Sequence, residues 1–424
     1  LFGAARAEAE GFGEPRVRSI RFEGLEQTKA STLENEVLLK PGETFRAELL
    51  NQTLQNIRNL RIHQRVDGTV NPHPDGSLDV IIRIKEKQTL LPFFRVRQGG
   101  GSTLMILGVG DLNTFGRAIE LLPMYENFNQ RYHGGRLDFR VPHITEDKLV
   151  IDGSGGFAPR IHTLRSADGP PQGSYFQQTL ALRTSVEWPL SDLTLLAAGA
   201  EISRDRFSDD ALTASQQAAN RRLGYQVPHD DIVVAPALRL DFGKINYSDY
   251  RPSGILISFG AESPAAGHSQ TQSDMTRLMA QVKTFSQPYD SLDLATRFAA
   301  KVRLGGTTIA DCTLGGFGET RGLLDERFHG AACWYLNIEA RQVLYRHPWA
   351  VLQPTIFLDT GRVANRIGNL DNYGFDHDPL STGAGIRIVF PSLARLALRL
   401  DYALFRRPSE QEASRLSLGS QQFF

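Results

Sequence analysis

Arg321 and Gly322 sit inside Asp311–Trp334, DCTLGGFGETRGLLDERFHGAACW, which also holds the chain's two cysteines, Cys312 and Cys333, and five glycines. Two kinds of chemistry are open to these residues. In an oxidising compartment the cysteines either form a disulfide closing about twenty residues, worth roughly 3 kcal/mol by chain entropy, or remain two thiols at the base of a loop. A buried Arg321 needs a carboxylate, because removing the partner of a buried charge costs several kcal/mol. Gly322 allows a backbone conformation closed to other residues. None of this is catalysis. The chain has no His-Glu-x-x-His spacing and no Gly-x-Ser-x-Gly elbow. FDHDP at Phe375–Pro379 sets acids beside a histidine but reads as turn chemistry in a loop. The expectation is therefore no enzyme, no metal and no cofactor.

The 424 residues carry 47 Lys and Arg against 47 Asp and Glu, so charge points to neither nucleic acid nor an acidic substrate. Mean hydropathy is −0.27, and no run of about 18 apolar residues exists for a membrane helix. A membrane barrel stays open, since each of its strands needs only about ten alternating residues. The sequence starts at Leu1. Ala5-Arg6-Ala7 ahead of Glu8 reads either as the end of a signal peptide or as a boundary linker, covering residues 1–15.

Residues 16–88 read as a small α+β module. VRSIRFEG at Val17–Gly24 predicts a strand. KASTLENEVLLK at Lys29–Lys40 predicts a helix with Leu33, Val37 and Leu38 on one face, stopped by Pro41-Gly42. A second helix follows through Leu50, Leu54 and Ile57. Two strands close the module, the last with Leu78, Val80, Ile82 and Ile84 on one face. His63 and His73 are isolated and read as solvent-facing.

Residues 89–424 alternate with period two. Leu292, Leu294, Phe298, Ala300, Val302 and Leu304 oppose Asp293, Arg297, Lys301 and Arg303; Leu396, Leu398, Leu400, Tyr402 and Leu404 oppose Arg395, Arg399 and Asp401. The polar face is rich in arginine, as a wet lumen would be. Connections alternate too. Short turns such as DLNTFG, PLSD and RHP separate long polar loops at 160–174, 206–230, 262–274, 311–334, 362–381 and 406–413. This pattern predicts an all-β transmembrane barrel of about sixteen antiparallel strands, an even number with both ends on the short-turn side. The closing segment RLSLGSQQFF ends on the aromatic Phe424.

These features together resemble the POTRA-plus-β-barrel superfamily of bacterial surface antigens, which includes BamA- and TamA-type assembly proteins and two-partner-secretion transporters. The landmarks are VRSIRFEG, LKPGETF and DVIIRIKE in the module, then GVGDLNTFGRAIEL, Thr320-Arg321-Gly322-Leu323 and Phe357-Leu358-Asp359-Thr360-Gly361. In that family a loop between strands eleven and twelve carries (Val/Ile)-Arg-Gly-(Phe/Tyr), folds into the barrel, and its Arg meets an acid on the wall. Here Thr320 and Leu323 replace the β-branched aliphatic and the aromatic, while Phe-x-Asp-x-Gly is intact. The resemblance implies that Arg321 and Gly322 lock onto Asp359 first, or onto inward-facing Glu339, with Phe357, Gly361 and Phe424 as barrel signatures.

The resemblance further implies an outer-membrane barrel with the POTRA-like module in the periplasm. Its partners would be unfolded outer-membrane or secreted protein clients, outer-membrane lipid and periplasm-facing accessory proteins, with no nucleic acid. One expected role is an insertase or translocon that catches clients on the module's sheet edge and passes them at the seam between LPFFRVRQ and RLSLGSQQFF. The other is a secretion pore, either of the two-partner type or similar to single-POTRA transporters fused to an upstream lipase.

Overall fold

A computed structural model describes residues 14–99, 102–145, 148–165, 171–264, 275–305, 312–316, 318–323, 327–370, 374, 378–407 and 410–420. The N-terminal module runs β1 (Val17–Glu23), α1 (Ala30–Glu34), α2 (Ala47–Asn59), β2 (His63–Pro72), β3 (Leu78–Glu86). Its sheet has the order β1-β3-β2, with β1 parallel to the central β3 and β2 antiparallel to it. Leu50, Leu54 and Ile57 recur at helical spacing along α2 and meet Val66, Val80, Ile82 and Ile84 of the sheet in one apolar core. Each such side chain contributes about 2 kcal/mol.

Two expectations fail in this module. The first helix stops at Glu34, and the chain continues irregularly, with Leu38 N donating to Thr53 Oγ1 at 3.0 Å. Packing against α2, rather than helical periodicity, places Val37 and Leu39. His63 is buried, not solvent-facing: β2 begins where α2 folds back over it, and its Nδ1 lies 3.4 Å from Ile57 O. His73 is exposed at the β2–β3 turn, as expected.

Downstream, the described strands close into one antiparallel barrel. Counting the collinear pieces Ala332–Gln342 and Tyr345–His347 as one, it has sixteen strands, as predicted. Outward positions such as Leu180, Ile202, Leu238, Phe259, Ile356 and Leu416 are exposed, whereas alternate residues carry the charge inward. An apolar outer wall around a charged interior is the inverse of a soluble core, and it is a lipid-facing surface.

Two of the expected loops are shorter than predicted. The hairpin of Val150–Arg165 and Pro171–Ser191 runs almost through the expected loop 160–174, and Ala397–Arg407 and Glu410–Ser420 run through 406–413. The stretch 206–230 holds a helix, α3 (Ala214–Leu223), capped by Thr213 and Gln216 at its start and by left-handed Gly224 at its end. Asn220 of α3 grips the backbone of Ser174, accepting from its N at 2.9 Å and donating to its O at 2.8 Å.

The N-terminal module rests on the short-turn mouth of the barrel. Lys29 N and Thr32 Oγ1 both donate to Gly116 O at 2.9 Å, Glu36 pairs with His143 at 3.0 Å, and Gln88 N donates to Ser392 O at 2.9 Å.

Candidate functional site

Barrel strands eleven (Leu292–Leu304), twelve (from Ala332) and thirteen (Ala350–Ala364) form the wall that receives the Arg321 loop. At its base the loop makes a small hairpin, Cys312–Leu314 paired with Phe328–Gly330. Leu314, Leu323 and Phe328 pack with Tyr335, Val363 and Phe405 of the wall, giving the loop an apolar core of its own inside the lumen. Gly361 makes room for this, because a Cβ there would stand 3.1 Å from Leu314 Cδ1. The tip then turns at Gly322, whose φ of +87° suits glycine and whose missing Cβ would lie 3.0 Å from Ala403 Cβ.

Arg321 is 1% exposed, and its two partners, Asp359 and Glu339, are 0% exposed. Nε donates to Asp359 Oδ2 at 2.7 Å, Nη2 to Oδ1 at 2.8 Å, and the Arg321 backbone N also donates to Oδ2 at 3.0 Å. Nη1 donates to Glu339 Oε2. The guanidinium lies 3.6 Å above the centre of the Phe357 ring. Residues expected to offer alternatives, Asp359 or Glu339, thus act together. A forked, planar cation between two carboxylates and one ring is held in direction as well as in charge, which an ammonium could not reproduce.

The network extends beyond the expected set. Glu339 also accepts from Arg341 Nε at 2.7 Å and Arg387 Nη2 at 3.1 Å, and Arg387 Nη1 reaches Asp401 Oδ1 at 2.6 Å. Asn337 donates to Asp359 Oδ1 at 2.9 Å and to Glu319 O at 2.6 Å, while Arg297 Nε donates to Asn337 Oδ1 at 2.9 Å. Period-two alternation places Arg297, Asn337, Arg341, Arg387 and Asp401 on the inner face, so the inward direction was readable. Which of them meet was not, because the partners come from strands far apart in sequence.

Cys312 and Cys333 are free, buried thiols in the structure rather than a disulfide. Cys312 Sγ donates to Lys301 O at 3.2 Å, and both cysteines belong to the loop's apolar cluster. Phe424 lies outside the described residues, as does most of FDHDP. Asp378 of that motif accepts from Arg362 Nη1 at 2.6 Å and Gly374 N at 2.9 Å, which is loop-closing turn chemistry.

Where the module meets the barrel, a cavity of about 290 Å³ is lined by Arg61, Lys87, Tyr247, Asp249 and Arg395. Burial pushes Arg61 down to about 10, with Arg395 adding to the effect. Burial also lowers Lys87 and raises Asp249, although the two lie 3.5 Å apart. Desolvation outweighs pairing on both sides of that contact.

Residues 15–87 match the family described as "POTRA: Surface antigen variable number repeat". The N-terminal module is a POTRA domain. The whole chain is similar to BamA from Haemophilus ducreyi lacking POTRA domains 1–3, at 16% identity and a TM-score of 0.55, over 97% of this chain and 84% of that one. It is also similar to CdiB from Escherichia coli, at 15% identity and TM-score 0.65 over 96% and 76% of the two chains. For CdiB from Acinetobacter baumannii the values are 13%, 0.59, 96% and 73%. No curated protein sequence matches the chain. At these identities the likeness establishes the fold, a POTRA domain followed by a closed sixteen-strand barrel. The lipid-facing wall makes it an outer-membrane barrel with the POTRA domain on the periplasmic side.

Proposed function

We propose that the chain is an outer-membrane insertase that receives unfolded, β-rich clients at its POTRA domain and inserts them at the junction of its first and last barrel strands. The observation that carries this reading is how little of that junction is laddered among the described residues. Strand one (Leu90–Gly99) meets strand sixteen (Glu410–Ser420) through a single registered pair among the described residues, Gly419 with Arg95. The next junction along, between strands fifteen and sixteen, is registered from Leu398–Ser420 to Arg407–Glu410. Each missing ladder bond leaves an edge that another strand can complete, so a client hairpin can pair there at little cost. The outer strands β1 and β2 of the POTRA sheet offer edges of the same kind. No cofactor is needed, since the client's own folding supplies the free energy.

A second reading, a secretion pore, has one observation in its favour. Between α2 and the far wall of the barrel lies a cavity of about 830 Å³, lined by Glu36, Asn56, Arg140, Glu187, Arg239 and Lys283 among others. An extended polypeptide has a way in beside the POTRA domain if the Arg321 loop withdraws.

One experiment separates the two. Arg95→Cys with Gly419→Cys creates a directly opposed antiparallel pair, whose spacing suits a disulfide. With the bridge closed, insertion of a barrel client into proteoliposomes should stop and should return on reduction. Insertion that continues at full rate through a closed bridge would remove the insertase reading. Export of a polypeptide through the closed-bridge protein would support the pore.

A further inference from the structure

Barrel strand seven, Thr194–Ser208, changes character along its outer face. Leu196, Ala198, Ala200 and Ile202 come first from the periplasmic turn, and Arg204 and Arg206 follow. The facing is fixed by the other set. Ser203 and Asp205 are buried, and Asp205 Oδ1 accepts from Gln177 Nε2 at 2.8 Å and Thr179 Oγ1 at 2.5 Å, so that carboxylate is already engaged on the inner side. Arg204 and Arg206 are exposed, and neither side chain makes an ion pair or a hydrogen bond with the described residues.

Their surroundings are those of a lipid boundary. Arg204 is registered opposite Leu180 on one neighbouring strand and Ile232 on the other, both exposed, while Arg206 stands opposite Gln178. Arg204 comes ten residues after Thr194, the first residue of the strand at the periplasmic turn. At about 3.3 Å per residue and a tilt of about 40°, it rises about 25 Å. The apolar band of such barrels is also about 25 Å tall, so the two guanidinia stand where acyl chains give way to headgroups of the outer leaflet. Side chains two apart on one strand face are about 7 Å apart, close enough for both forks to engage one phosphate or two neighbouring ones.

We infer that Arg204 and Arg206 form a binding site for a phosphate-bearing glycolipid of the outer leaflet, its acyl chains lying on Leu180, Ile202 and Ile232. The inference rests on the outer-membrane reading of the barrel. Charge complementarity selects an anionic headgroup, and the flanking aliphatic side chains select one that carries acyl chains.

The test uses the full chain in phosphatidylcholine nanodiscs, titrated with diphosphorylated lipid A and read by native mass spectrometry. Arg204→Gln with Arg206→Gln should weaken lipid A retention roughly tenfold or more, because each lost guanidinium removes a charge-assisted pair. Arg204→Lys with Arg206→Lys should recover part of it, and Arg136→Gln, on a lumen-facing arginine paired with Asp138, should leave it unchanged. Correct folding of each variant is read from its heat-modifiable migration. Equal retention by the double glutamine variant would overturn the site. Binding of inorganic phosphate alone, with the same dependence on Arg204 and Arg206, would overturn the lipid as its ligand. A chain that does not enter phosphatidylcholine nanodiscs at all would sink the membrane reading, and this inference with it.

Discussion

Asn59 in the POTRA domain and Asn246 at the barrel mouth are joined side chain to side chain: Asn59 Nδ2 donates to Asn246 Oδ1 at 3.0 Å. Asn59 Oδ1 in turn accepts from Tyr247 N at 3.0 Å, Gln55 Nε2 donates to Tyr247 O at 3.0 Å, and Arg61 lies 4.1 Å over the Tyr247 ring. One turn of helix α2 therefore grips one periplasmic turn. Asn59→Cys with Asn246→Cys should cross-link readily under mild oxidation in the resting, membrane-inserted protein. Asn59→Ala should weaken docking by about 1–2 kcal/mol, seen as faster amide exchange in α2 of the full chain. A cross-link that forms only slowly would mean that the domain spends most of its time away from the mouth.

Removing the Arg321 side chain leaves Asp359 short of its charged partner and removes one of the three arginines around Glu339. Arg321→Ala should destabilise the barrel by about 3–5 kcal/mol, read as a lower temperature for the heat-modifiable mobility shift. Arg321→Lys should recover little, since a point charge cannot span both carboxylates and cover the Phe357 ring. Asp359→Asn should cost less than Arg321→Ala, because Glu339 still faces the guanidinium. A barrel that melts as the parent does after Arg321→Ala would show that the lock adds no stability.

The alternating segments made the barrel, its strand number and the inward facing of the charged residues readable, because a sheet with lipid on one side and water on the other imposes period two on every strand. The Arg-Gly loop and Asp359 were readable through the motifs they carry. What escaped was decided by contacts distant in sequence. His63 is buried by the return of α2, and nothing in its neighbours along the chain records that. Helix α3 has little apolar periodicity, since it packs on polar groups at the rim. Its ends were written plainly, in the Thr213-x-x-Gln216 box and in Gly224. Arg387 and Asp401 each looked like one more lumen residue until the register of the closed ladder set them around Glu339.

His63 makes POTRA stability depend on pH. Burial pushes its pKa from 6.5 down to about 4, and Nε2 has no hydrogen-bond partner. The unfolded chain binds a proton near pH 6.5 while the folded domain resists one down to about pH 4, so stability is full above pH 6.5 and falls as pH drops through that window. Between pH 7 and pH 5 the loss should be about 2 kcal/mol. Amide exchange in β2 and β3 of the full chain should speed up accordingly, and His63→Leu should flatten the dependence. An unchanged profile in that variant would assign the effect to another group.

Cys312 and Cys333 are buried at the base of the loop, so access to them reports on whether the loop is seated. In the folded protein an alkylating reagent should add nothing to the intact mass within minutes, and two labels should appear once the barrel is unfolded without reductant. No label after unfolding would reveal a disulfide. Arg321→Ala should shorten the protection in the folded state at least several-fold.

Among the described residues the Arg321 loop packs against one side of the lumen wall. Strands eleven to fifteen are packed from within by the Arg321 loop, while strands four to ten line an open cavity and are tied by wall-to-wall ion pairs such as Arg140–Glu187–Arg239. Strand sixteen pairs with strand fifteen, which carries Phe405 of that packed cluster. If the junction of strands one and sixteen parts, strand sixteen keeps a neighbour stiffened from inside the lumen, and we expect the Leu90–Gly99 strand to be the one that moves.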